Sequence, residues 1–551
     1  MFFCKSRSPG LLQEEELTFD DFEYVDLTGR SLRTVPVVLH KHADTISVLN
    51  LSRNPMLEIP LDFIQGCTTL RDLRLSYMAM KKVPQSVRHC TTLQGLDLSC
   101  NRIVDLEDAA LDHLSGLTTL KVQNNRMERL PWYFPRLRSL KFLNISNNKF
   151  KMFPDVVTQM EGLVDLDLSF NMVSELPSGL GRLRSLEKLV MVGNMVSRVP
   201  DDCSHLSNLR ILDCRRNKLV DLTTICLLPK LENLLADHNS VHTLELSLGP
   251  SVAEVDASHN DITQLTLLPG PIGQSYALCT LDVSYAKLST LDNFTLSNLT
   301  SLRYLRLDHN RIRHIPDQIG DLHSLILLSC SNNQLTALPT TIGFLQKLET
   351  LDAHNNSIQH IPATIWNCAS LIHINFTSNL IHTWHEPSVE IPRSESIPSL
   401  RSGSIVSVRK GSAAGLASNG LPSPSRPPLV YSLERLFLGE NKFGDEALGL
   451  LGSFTELHVL NLSFNEIQEL PPSFFNNLTK LEELYLSGNS LSTIPTEDLH
   501  RLTRLQVLFL NGNKLQTLPQ ELGKIQNLAA LDVGSNVLKY NINNWEFDWN
   551  W

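Results

Sequence analysis

The chain has 551 residues, of which 42% are hydrophobic and only 7% aromatic, and its formal net charge is −10. That is enough apolar material for an extensive core built mainly from aliphatic side chains, while the acidic balance lacks the basic face that nucleic-acid binding demands. No stretch reaches the roughly 18 apolar residues of a membrane span. The start, Met1-Phe2-Phe3-Cys4-Lys5, meets a charge too early for a secretory signal. The ten cysteines, Cys4, Cys67, Cys90, Cys100, Cys203, Cys214, Cys226, Cys279, Cys330 and Cys368, stand singly. Without a C-x-x-C pair they suggest neither zinc nor a disulfide framework, and so a reducing, cytoplasmic setting.

Residues 1–18 form an N-terminal segment outside any periodicity. From residue 19 to 384 the chain follows L-x-x-L-x-L-x-x-N-x-L-x-x-L-P, with most steps 23 or 24 residues long. The Asn position falls at Arg30, Asn54, Met78, Asn101, Asn125, Asn148, Asn171, Asn194, Asn217, Asn239, Asn260, Ala286, Asn310, Asn333, Asn356 and Asn379. It resumes at Asn441, Asn465, Asn489, Asn513 and Asn536. In Leu166-x-Leu168 the two leucines are two apart, so on a short strand they share one face. One turn cannot bury them alone, but stacked neighbours make a continuous core. The Asn falls where the chain turns inward, and its amide supplies both a donor and an acceptor for backbone groups there. Thirteen units place Pro after an apolar residue, which stops the strand. This period and pattern are those of a leucine-rich repeat. The expected fold is an α/β repeat solenoid, a horseshoe with one parallel strand per repeat on the concave face and short helical or irregular convex segments.

The units on Asn217, Asn239, Asn260 and Ala286 lack the Pro and vary in length, which suggests a local change of curvature between Leu209 and Leu291. Residues 385–430 are rich in Ser, Pro and Gly and lose the periodicity, the composition of a disordered insertion. Leu433-x-x-Leu436-x-Leu438 then restarts the pattern in phase, so residues 431–540 should continue the same solenoid. Residues 541–551 are an aromatic tail. A solenoid needs a polar cap, yet only Trp545 to Trp551 follow Leu528, Leu531 and Val533 to cover them, so the end reads as truncated.

The residues beside the strand leucines face the concave side and decide partner choice. They include Asp165, Asp167, Lys188, Asp213, Arg215, Arg216, Asp237 and His238. Further along come Glu254, Asp256, His259, Asp282, Arg306, Asp308, His309, Asp352 and His354, and then the aromatics Phe437, Phe464, Tyr485 and Phe509. The candidate partner-binding set is Lys188, Asp213, Arg215, Arg216, Asp237, His238, Asp256, His259, Arg306 and Asp308. A charged concave face is often merely solvated, but a cluster on adjacent rungs is the usual interaction surface of a solenoid. His238 and His259 hold equivalent places near Asp237 and Asp256, yet no zinc-ligand spacing is present and no metal site is expected. No phosphate-binding loop, zinc-protease or serine-hydrolase motif interrupts the repeats, so these residues carry no expected catalytic centre and no cofactor. In the insertion, Arg409-Lys410-Gly411-Ser412 suits a basophilic kinase, with Ser412 as the phosphorylation site.

Specific stretches carry a family resemblance. Val25-Asp26-Leu27-Thr28-Gly29-Arg30-Ser31-Leu32 and Leu49-Asn50-Leu51-Ser52-Arg53-Asn54 at the start resemble the leucine-rich region of fungal adenylate cyclases. So do Leu531-Asp532-Val533-Gly534-Ser535-Asn536, Leu538-Lys539-Tyr540-Asn541-Ile542 and Trp545-Glu546-Phe547-Asp548-Trp549-Asn550-Trp551 at the end. The resemblance implies a docking surface for a Ras-type small GTPase in its GTP form, controlling cAMP synthesis, with recruitment to the cytosolic face of the plasma membrane and no membrane insertion. It also implies that the class III catalytic domain, which converts ATP to cAMP with a divalent metal such as Mg, lies outside these residues. The competing expectation is a stand-alone intracellular scaffold in Ras or phosphatase signalling.

Overall fold

The structure is a computed structural model that describes residues 23–56, 58–246, 251–267, 276–387 and 426–539. The N-terminal segment 1–18, Ser412 with most of the insertion, and the tail 541–551 lie outside the described residues. The chain divides into two compact units, residues 1–239 and 240–551.

In the first unit every repeat contributes one strand of three residues, from Tyr24–Asp26 to Asn233–Leu235, and each pairs in parallel with the next without offset. Strand Asp165–Asp167 shows why. Leu166 points inward and is fully buried, Leu168 follows it into the core, and the two aspartates face outward. Each such leucine contributes about 1.5–3 kcal/mol of burial, but only because a neighbouring repeat covers it.

The second unit repeats the arrangement from Glu254–Asp256 to Ala530–Asp532. Strand His373–Asn375, before the insertion, pairs directly with Arg435–Phe437, after it. Its first repeats carry two parallel strands, Thr243–Leu246 and Gln264–Leu267, along the segment that in the Pro-containing repeats leads into the Pro. In the last described repeat Leu528, Leu531 and Val533 are half-buried, whereas Leu505, Leu508 and Leu510 one repeat earlier are buried.

The Pro of each regular repeat fixes the entry to the outer turn. At Pro154, Pro316, Pro339 and Pro362 the backbone is extended, and a 3₁₀ turn of five residues follows. The proline carbonyl accepts the first turn bond, as in Val157 N–H to Pro154 O at 2.9 Å. Outer turns of adjacent repeats pack backbone to backbone. A Cβ at Gly181 would lie 2.0 Å from the Asp202 carbonyl oxygen, so glycine sets the approach there.

Two features hold the inner turn. First, the Asn amide bridges repeats. Asn171 Nδ2 donates to the carbonyls of Ile145 (3.1 Å), Leu168 (2.9 Å) and Ser169 (3.2 Å), while Oδ1 accepts the N–H groups of Asn148 (3.2 Å) and Phe150 (3.1 Å). Second, the residue just before the Asn position adopts a left-handed conformation in every repeat. In the first unit these residues include Arg53, Tyr77, Phe170, Arg216 and His238, and in the second His259, Tyr285, His309 and Phe464. The left-handed form costs a non-glycine residue roughly 1–2 kcal/mol. The turn offsets this by aiming its N–H at the next repeat, as in Phe170 N to Val192 O at 2.6 Å and Arg216 N to Asp237 O at 2.9 Å.

Asn171→Ala removes the amide while leaving buried carbonyls and N–H groups without partners. An unsatisfied buried group costs about 1–3 kcal/mol, so the variant is expected to lose about 3 kcal/mol or more in urea denaturation. A loss under about 0.5 kcal/mol, within the range of ordinary surface changes, would show that the ladder is dispensable.

Candidate functional site: the charged strand face

The outward-facing strand residues and those of the inner turn form the candidate surface in each unit. In the first unit, Lys188 reaches the carboxylate of Asp165 at 3.6 Å. Burial nevertheless holds the Asp165 carboxyl above the usual carboxylate range, with Lys188 opposing that rise. Asp213 is only 7% exposed and takes both guanidinium N–H groups of Arg215, Nε at 2.8 Å and Nη2 at 2.7 Å. Arg215 Nε also stands 3.8 Å from Asp237, whose other oxygen meets His238 Nδ1 at 2.7 Å. Asp213, Arg215, Asp237 and His238 thus form one charge chain over adjacent repeats. Arg216 is different. It sits exposed on the left-handed turn, and among the described residues its side chain has no ion pair.

In the second unit most acids are committed to their own backbone. Asp256 Oδ1 accepts the Ser258 N–H at 3.0 Å, and Asp282 Oδ1 accepts that of Ser284 at 2.9 Å. Asp308 Oδ1 takes the Ser329 hydroxyl, the Ser331 N–H and the Ser331 hydroxyl, each at 2.7 Å. Arg306 stands 3.9 Å from Asp282, and His354 pairs with Asp352 at 2.7 Å. The Asp256 and Asp282 contacts are Asx-type turns, in which a carboxylate accepts from the backbone N–H two residues on, whereas Asp308 is held by groups of the next repeat. Several follow a D-x-S spelling visible in the sequence, as in Asp97-Leu98-Ser99, Asp167-Leu168-Ser169 and Asp256-Ala257-Ser258.

The inner turns of the second unit also build an aromatic column, in which Tyr285, absent from the strand-face residues read from the sequence, joins His259 and His309. His259, Tyr285 and His309 stack with centroids 4.2 and 4.0 Å apart and planes within 10° and 13° of parallel. The signal was the shared position before each Asn site. Further along, the strand face turns aromatic: His373 stacks on Phe437 at 5.3 Å, and Tyr485 meets Phe509 edge-on at 5.3 Å. Tyr485 donates to Glu483 at 2.7 Å, and burial, followed by that carboxylate, pushes its phenol up to about 12. Phe464 lies exposed over Gly488, where any Cβ would strike the ring.

Burial pushes the thiols of Cys67, Cys203, Cys226 and Cys368 up to about 12, which suppresses the reactive thiolate. Among the described residues no group of three or more His, Cys, Asp or Glu could hold a metal ion. His238 belongs to the first unit and His259 to the second. Among the same residues no helix is long and apolar enough to cross a membrane.

Family comparisons agree with this geometry. The family model described as a leucine-rich repeat region matches residues 105–271 and 271–391, and that described as a leucine rich repeat matches 455–515. The chain belongs to the leucine-rich repeat family. Over 549 residues, 96% of the chain, it is 46% identical to the adenylate cyclase of Mycosarcoma maydis, covering 22% of that protein. It is 40% identical over 541 residues, 98% of the chain, to the adenylate cyclase of Lachancea kluyveri, covering 27% of it. The chain therefore spans about a quarter of the length of these relatives. Among solved structures it is similar in fold to the plant peptide hormone receptor RGFR1 in complex with RGF2. The TM-score is 0.59 at 22% identity, covering 93% of this chain and 89% of the receptor chain.

Asp282 allows a test of how the repeat face is balanced. Burial raises its carboxyl above the ordinary range and Asp256 adds to the rise, against the Ser284 hydrogen bonds and Arg306. The folded chain thus holds this proton more tightly than the unfolded chain. Ionised Asp282 costs stability above its folded pKa, and the cost vanishes as pH falls below the unfolded value. Asp282→Asn keeps the acceptor for Ser284 without the charge. It should be more stable than the parent at pH 7 in thermal unfolding, with the advantage gone near roughly pH 3.5. A variant less stable at pH 7 would contradict this balance.

Proposed function

We propose that this chain is the regulatory, protein-binding region of an adenylate cyclase, and that it docks a Ras-type small GTPase in its GTP form. The observation that carries the reading is the similarity to fungal adenylate cyclases along 96% of the chain, joined to a repeat architecture that displays side chains in register. On this reading the conversion of ATP to cAMP belongs to other residues of the protein, and the repeats bring that activity under the GTPase at the cytosolic face of the plasma membrane.

The charge pattern suggests where the contact begins. Acidic switch surfaces on a partner are steered by cations that face solvent, and such rim charges act mainly on encounter. Arg215 is tied to Asp213 and Asp237, whereas Arg216 projects from the turn beside them. Arg216 is therefore the encounter residue, and Arg215 holds the surface in shape.

The test is retention of the chain by immobilised Ras carrying either a non-hydrolysable GTP analogue or GDP. Retention should favour the GTP form, and Arg216→Glu should weaken it about tenfold, the equivalent of about 1.4 kcal/mol, without changing the melting temperature. Arg215→Glu should lower the melting temperature, because it strands the buried Asp213 carboxylate. Equal retention of both nucleotide forms, or none, would overturn the proposal.

A further inference from the structure

On the flank of the second unit, where each repeat leaves the Asn turn, side chains alternate between core and solvent. Ile312 is buried, and its neighbours Arg311 and Arg313 both face out. Backbone bonds hold these flanks in step: Arg311 N donates to Leu288 O at 2.8 Å, and Gln334 N to Ile312 O at 2.9 Å. Three successive repeats thereby bring Ser289, Thr290, Arg311, Arg313, His314 and Gln334 around one open groove of about 870 Å³.

Several basic side chains elsewhere are answered by carboxylates: Arg74 with Asp72 at 2.9 Å, Arg136 with Asp112 at 3.1 Å, Arg210 with Glu232 at 2.9 Å, Lys287 with Asp261 at 2.7 Å. Among the described residues no carboxylate lines the groove, and the acids nearest in sequence, Asp292 and Asp317, are not among its walls. Among the described residues the Arg311 side chain has neither a hydrogen bond nor an ion pair, and Arg313 makes one long bond, to Gln334 Oε1 at 3.4 Å. In a chain of net charge −10, two guanidinium groups gathered without a counter-charge leave a local positive field. A cleft of one sign concentrates ligands of the other.

The donors also fit one chemistry. Two guanidinium forks, two hydroxyls, an amide and an imidazole line the groove beside Leu291 and Pro316, and an arginine fork matches the oxygens of a phosphate in a bidentate way. We infer that this groove binds a phosphate monoester, carried by a soluble small molecule or by a lipid headgroup. The site lies on the flank and is independent of the GTPase reading.

Two probes separate the sources, both used with the full chain: inositol hexakisphosphate by calorimetry, and phosphatidylcholine vesicles with and without a phosphatidylinositol monophosphate by co-sedimentation. Binding in the first arm alone assigns a soluble ligand, and phosphate-dependent co-sedimentation assigns a headgroup. In whichever arm binds, Arg311→Ala/Arg313→Ala should weaken it about tenfold or more, since both charged forks that meet the phosphate oxygens are removed. Lys149→Ala/Lys151→Ala, which removes two exposed charges from the first unit, should leave binding within about twofold. Circular dichroism melts of both double variants should match the parent, because all four residues are exposed. Absence of binding in both arms, or equal weakening by the two double variants, would overturn the inference.

Discussion

Everything on the strand face depends on the Asn amide that joins one repeat to the next. A leucine-rich turn has apolar side chains to bury but leaves backbone donors and acceptors stranded at its inner bend. One amide solves this for two repeats at once, reaching a carbonyl in the preceding repeat, two in its own, and returning an oxygen to the preceding turn. The bridge recurs at every Asn step, strand follows strand without offset, and side chains at equivalent positions stand in columns. The tolerance of the design shows at Met78 and Ala286. Neither carries an amide, yet Asn101 accepts the Met78 N–H at 2.9 Å and Asn310 the Leu288 N–H at 3.0 Å.

A left-handed residue precedes the Asn position in every repeat, with or without the amide, and this gives the molecule a second column. Its occupants range from glycine to arginine, tyrosine, histidine and phenylalanine. Once each is held in register its neighbours must accommodate it. Phe170 packs where Gly193 leaves space, and Tyr285 is sandwiched by two imidazoles. Display, in this fold, is a by-product of satisfying the backbone.

The fold class and strand positions were legible because leucine spacing and period recur too often to arise by chance, and each strand lies where its two leucines place it. Two features were hidden for physical reasons. The left-handed turn has no residue-type signature when tertiary bonds offset its cost, so Arg216 and His259 read as strand-face candidates and not as occupants of a strained turn. The acids of the strand face looked available for a partner, but Asp213, Asp256 and Asp308 are engaged by groups of their own or adjacent repeats. The flank groove escaped notice because its arginines lie outside the strand columns, and only the folded arrangement reveals which charges lack an answer.

On the proposed function, the in-register strand face of the first unit, and not the outer turns, receives the activated GTPase. Hydrogen exchange measured by mass spectrometry on the chain, alone and with Ras loaded with a GTP analogue, tests it most directly. The account predicts added protection at Ile211–Asp213 and the Arg215–Arg216 turn, with the 3₁₀ turns that follow Pro154 and Pro200 unchanged. Protection confined to those outer turns, or identical patterns with GDP-loaded Ras, would contradict it.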